Sequence, residues 1–589
     1  MVNSYDECVG DDVSRKLQEN IDSLLSKEKG TVYKDPGGRI NVALVYPNTY
    51  HVGMSNLGFQ GIYGILNSMR DIVCERVFLP EDKDIDEYVR THTELFSMES
   101  KRTLNRFDIV AFSVSFENDY PNIVRIFELS RLPLRSSDRN SHHPLIIMGG
   151  VCAFFNPEPV ADFFDICFIG EADEMLPEFL EVYKSSINRS EVLKKSMTVE
   201  GLYTPRFYSI SYDAEGKISG RHQLENAPES IRRRYLKDIS TSKIMTPIIT
   251  SETEFSEMYL IEAMRGCPWN CRFCVAGKIY NPPRKKDLQA IEDEIQMALT
   301  RTKRIGLIGP SLSDYPYIKD VLKIPEVDFS ITSLRASSKS AELVSLMKCH
   351  KSVSIAPEAG TERLRKVINK SITEEDILYT SELLFSGGIE TLRLYFMVGL
   401  PTETREDIDG IVNLVKKIRN VSAKGYITLS ISTFVPKPFT PFQWHRMETL
   451  TEVKERLKII KKGLLPVKGV KVFHDVPKYA YMQGLFSMGD RRVSKVLEVM
   501  PKVQDWIMAA EEAGINKDSY IFRKREFNEI LPWDFIDMGI AKQKLWDEYQ
   551  EALCLHKFSK GNLPFWYQNY SPDISLCSIS CCRCRSISC

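Results

Sequence analysis

No stretch of the 589 residues approaches the ~20 consecutive apolar positions that a membrane-spanning helix needs. The first seven residues, Met-Val-Asn-Ser-Tyr-Asp-Glu, lack both the basic and the apolar segment of an export signal. No membrane contact is expected, and the cytoplasm is the expected compartment. An excess of one charge is lacking too: 78 Lys and Arg stand against 79 Asp and Glu, a net charge of −1. No whole-molecule field therefore draws nucleic acid or acidic lipid. Two local basic runs, Arg232-Arg233-Arg234 and Arg284-Lys285-Lys286, read as solvated faces. Without an export signal, the 14 cysteines point to reduced thiols and metal binding rather than disulfides. The chain is too long for one core, and three or four domains are expected.

Three of the cysteines carry the most information. Cys267, Cys271 and Cys274 lie in Arg-Gly-Cys-Pro-Trp-Asn-Cys-Arg-Phe-Cys, a C-x3-C-x2-C spacing. Three thiolates so placed can hold three irons of a four-iron cluster and leave the fourth open to a small molecule. The alternatives are a zinc site short of one ligand, or cysteines close together by chance. Zinc sites more often use C-x2-C pairs with a second pair or histidines downstream, and no such partner follows Cys274 until Cys349. The stretch resembles the radical S-adenosylmethionine (radical SAM) enzymes, whose mark is C-x3-C-x-aromatic-C, with Phe273 as the aromatic residue and its expected place beside the adenine.

Upstream, residues 41–47, 108–116, 143–150 and 165–171 read as buried strands, and a helix starts near Asn56 with Ser55 as its cap. Strands alternating with helices imply an α/β, doubly wound parallel sheet over 39–198, after an extension at 1–38. Its ligand edge is the strand carboxyl ends, with the loops at 50–55, 113–118, 149–156 and 170–174. These segments resemble the cobalamin-binding domain of many radical SAM enzymes, through Gly149-Gly150, Asn156-Pro157-Glu158-Pro159 and Ile169-Gly170-Glu171-Ala172-Asp173-Glu174. The resemblance implies cobalamin as a cofactor, contacted by Tyr50, His51, Gly53, Ser113, Gly149, Gly150, Gly170 and Glu171. Gly149 and Gly150 would allow close backbone approach to a corrin or nucleotide tail; the alternative is that they merely close a turn in a sheet that binds nothing. The cobalt-ligating pattern Asp-x-His-x-x-Gly is not met by Asn48-Thr49-Tyr50-His51-Val52-Gly53, so His51 is read as a hydrogen-bonded loop histidine.

Residues 199–250 read as a linker with a hairpin around 213–217. Six strand-and-helix units over 251–450 suit the partial, TIM-type (β/α)6 barrel of the radical SAM family, with its chemistry at the strand carboxyl ends. There stand Ser311, Arg335, Glu358, Gly399 and Pro401, which the resemblance makes contacts to SAM. Arg335 can pair with a carboxylate, and Glu358 can meet a ribose or amino group; alternatively the two form an ion pair between neighbouring strands. The family's Gly-Gly-Glu is replaced by Gly309-Pro310-Ser311-Leu312-Ser313-Asp314. The methionine amino group must then be held by Ser311, Ser313, Asp314 or the backbone. Residues 451–570 are expected to be helical, a cap on the barrel. In the tail, 571–589, Cys577, Cys581, Cys582, Cys584 and Cys589 suggest a second cluster or zinc, a redox-active tail, or no role.

The resemblance runs from about residue 41 to 551 and is to an uncharacterised cobalamin-type branch of the family. It implies reductive cleavage of SAM at a 4Fe-4S cluster to a 5′-deoxyadenosyl radical, with cobalamin-dependent methyl transfer to an unactivated carbon. The electron donor would be a flavodoxin or ferredoxin, and nucleic acid enters only as a substrate. The rival readings are cobalamin-independent radical chemistry (hydrogen abstraction, rearrangement or sulfur insertion) on RNA, peptide or metabolite, and a non-enzymatic iron–sulfur or RNA-binding protein.

Overall fold

Apolar residues on both faces of a strand require cover on both faces, and Ile40–Tyr46 (β1) sits in such a place. The computed structural model describes residues 14–555, apart from 332–333, 338–339, 341–342, 344–345, 347–350 and 423. The cysteine-rich tail and Cys349 lie outside the described residues. β1 is flanked by Ile72–Phe78 (β2) and Ile109–Ser113 (β3), followed outward by Leu145–Gly149 (β4), Ile166–Phe168 (β5) and Leu202–Tyr203 (β6). All neighbours are parallel except β6 against β5. The order β2-β1-β3-β4-β5-β6 reverses between β1 and β3, and a doubly wound sheet opens its ligand crevice at such a reversal. The expected sheet is therefore present, with β2 added. That strand is buried throughout yet carries Glu75 and Arg76 at its centre. Arg76 donates to Glu28 at 2.6 and 2.7 Å and to Glu99 at 2.7 Å, which is how a charged dipeptide fits inside the sheet. The helix Leu57–Ser68 is capped by Asn56, whose side chain accepts from the Phe59 amide, and not by Ser55.

The expected hairpin is formed by Tyr208–Tyr212 (β7) and Ile218–Gln223 (β8). Beyond it, Ile231–Arg232 (β9) does more than link, because it pairs with a strand near the carboxyl end, described below. The basic runs are solvated only in part, at Arg232 and Lys285. Arg233 is buried and donates to the Ile279 and Asn281 carbonyls, Arg284 is buried against Glu171, and Lys286 is buried against Glu294 at 2.6 Å.

Tyr259–Glu262 (β10) leads to Met264–Arg265 (β11), which pairs antiparallel with Arg284–Lys285 (β12). Arg304–Ile308 (β13) and Asp328–Ser330 (β14) continue in parallel from β10. A second parallel sheet consists of Ser352–Glu358 (β15), Thr391–Val398 (β16), Tyr426–Thr433 (β17) and Val470–His474 (β18). The Leu334 amide donates to the Ser354 carbonyl at 2.9 Å, joining the two sheets. All six expected strands are present, and β18 adds a seventh in a region expected to be helical. Among the described strands β10 and β18 are each paired on one side only, so the barrel is open. Helices Leu288–Leu299, Glu374–Ser386, Arg405–Val421 and Leu450–Leu464 cover one face. Along β16 Leu392, Leu394, Phe396 and Val398 are buried with them, while Arg393 and Tyr395 are exposed on the other face. Ile536–Asp537 (β19) pairs in parallel with β9. No helix among the described residues is long and apolar enough to cross a membrane.

Buried ion pairs join the layers. Glu171, just beyond β5, accepts from Arg265 at 2.6 Å, from Arg284 at 2.6 and 2.9 Å and from the Leu236 amide at 3.0 Å. Glu158 accepts from Tyr203 at 2.6 Å and pairs with Arg491 at 3.1 Å, while Asn156 donates to the Ser487 and Gly489 carbonyls. The Asn156-Pro157-Glu158-Pro159 motif thus docks the carboxyl-terminal region. Arg265 keeps Glu262 and Asp173 as further partners, but Arg284 pairs with Glu171 alone among the described carboxylates. Glu171→Ala should leave a buried guanidinium uncompensated and destabilise the chain by about 3–5 kcal/mol; a clear fall in the urea midpoint against Glu174→Ala at the surface checks it.

Candidate active site

Gly266 turns the chain out of β11 at φ +83°, and a Cβ there would stand 2.4 Å from the Tyr280 carbonyl, so only glycine makes this turn. The loop that follows carries Cys267, Cys271 and Cys274, all half-buried and free of disulfides. Arg272 pins it: its amide donates to the Ile368 carbonyl at 3.0 Å, and its guanidinium reaches the Lys366 and Val367 carbonyls and Glu551 at 2.7 Å. Asn369 donates to the Asn270 carbonyl from the same segment. Burial pushes the Cys271 thiol up to about 11 and raises Cys274 as well. Among the described residues no three His, Cys, Asp or Glu side chains gather as a single metal ion requires. Three thiols on one pinned loop, in C-x3-C-x2-C spacing, suit three corners of a cluster.

Around this loop stand several of the expected residues. The Trp269 indole donates to Asp314 at 2.7 Å, and the Ser311 hydroxyl donates to the same carboxylate oxygen at 2.6 Å. Arg335 lies 3.5 Å from the centre of the Trp269 ring and donates to the Ser371 carbonyl at 2.9 Å. Glu358, at the end of β15 with φ +66°, pairs with Lys370 at 3.1 Å. The ion pair between Arg335 and Glu358 does not form; successive residues of one loop, Lys370 and Ser371, take one each. Burial raises the Glu358 carboxyl against the pull of Lys370. Trp269 and Lys370 were not singled out from the sequence. Trp269 lies inside the cysteine motif, but its partners are distant in the chain.

Gly399, φ +87°, is turned away from the loop: its amide donates to Glu403 at 2.7 Å, and Glu403 accepts from Arg456 at 2.8 Å. Burial pushes Glu403 up to about 8. Pro401 is buried in the same turn. Phe273 instead lines a cavity of about 730 Å³ with Cys274, Met397, Phe434 and the N-terminal residues Asn48 and Asp119.

A second cavity, of about 440 Å³, lies where the N-terminal sheet's carboxyl edge faces the first barrel strands. Ser113, Gly150, Gly170 and Glu171 line it together with Gly266, Ala276, Tyr280 and Gly309. Gly149 adjoins it beside Phe168. The chain itself demands glycine at two of these positions, since a Cβ on Gly150 would lie 2.5 Å from the Val114 carbonyl and one on Gly170 2.1 Å from that of Arg234. Tyr50, His51 and Gly53 are elsewhere. Tyr50 donates to Glu28 at 2.6 Å, Gly53 packs on the Phe78 ring, and His51 is exposed with Glu254 at 3.8 Å.

Comparison with known proteins places this geometry. Residues 58–205 match the family described as radical SAM proteins, N-terminal, and 261–415, which hold the cysteine loop, match the radical SAM superfamily. The uncharacterized protein MJ0966 of Methanocaldococcus jannaschii is 30% identical over 493 residues, 82% of this chain and 96% of its own. A tRNA-2-methylthio-N(6)-dimethylallyladenosine synthase of Anaplasma phagocytophilum is 25% identical over 225 residues, 35% of this chain and 49% of that protein. The structure of the cobalamin-dependent S-adenosylmethionine radical enzyme OxsB, with aqua-cobalamin and S-adenosylmethionine bound, is similar with a TM-score of 0.45 and 14% identity, over 81% of this chain and 62% of that one. On the two family matches and the full-length relative, this chain belongs to the radical SAM superfamily, whose cofactors are a 4Fe-4S cluster and SAM.

Proposed function

We propose that this chain is an enzyme that cleaves SAM reductively at a cluster held by Cys267, Cys271 and Cys274, and uses the radical for cobalamin-dependent methyl transfer to an unactivated carbon. One observation carries the reading: the cysteine loop stands between two cavities. Phe273 and Cys274 face the larger, and Gly266 and Ala276 the smaller. Cys267, Cys271 and Cys274 would hold the cluster, which would supply the chemistry of SAM binding and one-electron reduction to a 5′-deoxyadenosyl radical.

The chain's own residues bind, orient and exclude water. Arg272 fixes the loop against residues 366–368, so the thiols are held before any metal arrives. Arg335, 3.5 Å from the centre of the Trp269 ring, is placed to offer guanidinium donors to a carboxylate. Ser311 and Asp314 supply polar atoms where Gly-Gly-Glu is missing, and the half-buried Glu358 is placed for an amino or ribose group. Phe273, Met397 and Phe434 line the larger cavity with apolar surface, which keeps water from a reactive intermediate. The smaller cavity suits a flat cofactor by its place at the carboxyl edge of the parallel sheet and by its Leu57, Ile62, Phe154 and Tyr280 walls. Glycines 150 and 170 lend no support, since packing already explains them. His51 is not among the lining residues, so cobalamin there would carry no protein histidine on cobalt.

Anaerobically reconstituted protein should hold about four irons per chain and, with dithionite and SAM, form 5′-deoxyadenosine that Cys271→Ala reduces to background. Cobalt should co-purify from cobalamin-rich medium; iron and SAM cleavage without cobalt would favour the cobalamin-independent reading. Trp269→Leu removes the ring beneath Arg335, worth ~0.5–2 kcal/mol, so the SAM dissociation constant should rise about 2–30-fold. Trp269→Phe, keeping a ring but losing the bond to Asp314, should fall between the two in calorimetric titration.

A further inference from the structure

The larger cavity contains a carboxylate that the protein leaves without a counter-ion. Asp119 is only 5% exposed, and the bond it accepts from the Asn48 side chain at 2.7 Å is with a neutral amide. Among the described residues no Lys, Arg or His pairs with it. It directly precedes the helix Tyr120–Ser130, where an acid ordinarily caps the first amides, yet its side chain makes no such bond. Asn48 follows β1 and Asp119 follows β3, so the pair spans the crevice where the sheet order reverses.

The rest of the lining has the same bias. Lys437 is the one basic side chain among the lining residues, and it is consumed by Glu117, which also accepts from Gln483 at 2.9 Å. The Asn118 amide oxygen is buried with no partner, and Asp475 adds another carboxylate with no ion pair among the described residues. Acceptors are therefore in excess and free cations are missing. Ser432, Thr433 and Tyr479 add neutral hydroxyls, and Phe116, Phe273, Phe434, Met397 and Met482 give the walls a surface for a hydrocarbon or aromatic body. Burying an uncompensated carboxylate is costly unless a ligand pairs with it.

We propose that Asp119 determines substrate specificity by receiving a protonated amine, so that the substrate is an apolar-bodied ammonium compound and not a polyanion such as RNA. This rests on the reading of the larger cavity as the substrate site. Burial pushes Asp119 up to about 6, which leaves it mostly ionised at neutral pH. The groups facing it are Glu117 with its partner Lys437, the Tyr46 phenol and the Cys152 thiol, both raised by burial and neutral in this range, and Asp475 on the cavity wall, its carboxyl also raised by burial.

The test titrates phenethylammonium chloride, sodium 3-phenylpropionate and a short oligouridylate into the anaerobic holoenzyme. Phenethylammonium should bind, and 3-phenylpropionate and the RNA should neither bind comparably nor compete. Its affinity should weaken roughly tenfold from pH 7.5 to 5, as a carboxyl near 6 takes up its proton while the amine stays charged. That arm needs only the wild-type chain, so it holds even where a variant fails to fold. Asp119→Asn, with iron content and cluster absorbance matched to wild type, should bind the amine at least about tenfold more weakly. Absence of amine binding, equal or tighter binding of the carboxylate or RNA, a flat pH profile, or an unchanged Asp119→Asn affinity would overturn the proposal. Amine binding in a wild-type chain that forms no 5′-deoxyadenosine would instead sink the SAM-cleavage reading and leave this one standing.

Discussion

One buried carboxylate, Glu171, holds the two halves of this chain in register. It leaves the carboxyl edge of the N-terminal sheet and takes the guanidinium groups of Arg265 and Arg284, which flank the cysteine loop on the paired strands β11 and β12. Desolvating three charges is expensive, and their attraction repays the cost only when the geometry is kept. That penalty is what makes the contact specific, because a slipped interface would strand Arg284 in a low dielectric and leave Arg265 only its neighbour Glu262. The cavity between sheet and barrel, and the direction in which the cysteine loop faces, both follow from it.

The loop itself is fixed from the other side. Arg272 sits between Cys271 and Cys274 and binds the backbone of residues 366–368, so the middle of the motif is tied to the barrel's fourth unit. Trp269 ties its other arm to Asp314 and Arg335, beyond the second and third strands. Four strand ends thus converge on ten residues of sequence. The backbone that carries the thiols is ordered in advance, which lowers the ordering cost of loading.

The cysteine motif was legible because its three thiols are neighbours in the chain, and the strands β1, β3 and β4 because burial on both faces leaves an unbroken apolar run. β2 was hidden by Glu75 and Arg76, whose place in a sheet makes sense only once Glu28 and Glu99 are brought to Arg76 by the fold. β18 was hidden by its lysine and its shortness, since Lys471 and Phe473 stand on an exposed face and leave no core pattern. The basic run at 284–286 misled for the same reason in reverse: Arg284 and Lys286 are buried, the first against Glu171 far off in the sequence and the second against Glu294 eight residues on. Asp119 gave no signal at all. In Glu117-Asn118-Asp119 it reads as a polar loop, and only the tertiary structure distinguishes the acid that is paired from the one that is not.

The charges around the cysteine loop are sorted by ligand. Arg335 and Lys370 stand on the side of the loop reached from β14 and β15, while the acids Asp119 and Asp475 line the opposite cavity, whose lysine is already spent. On the proposed reading, the carboxylate of SAM finds a cation only on the first side, and an ammonium-bearing substrate finds an uncompensated anion only on the second. Each ligand would pay repulsion or unrelieved desolvation in the other's place, so the arrangement discriminates by penalty as much as by attraction. A radical abstracts from whatever carbon lies nearest. Order in the site must therefore be set before the radical forms, and fixed charges on separate walls set it without any moving part.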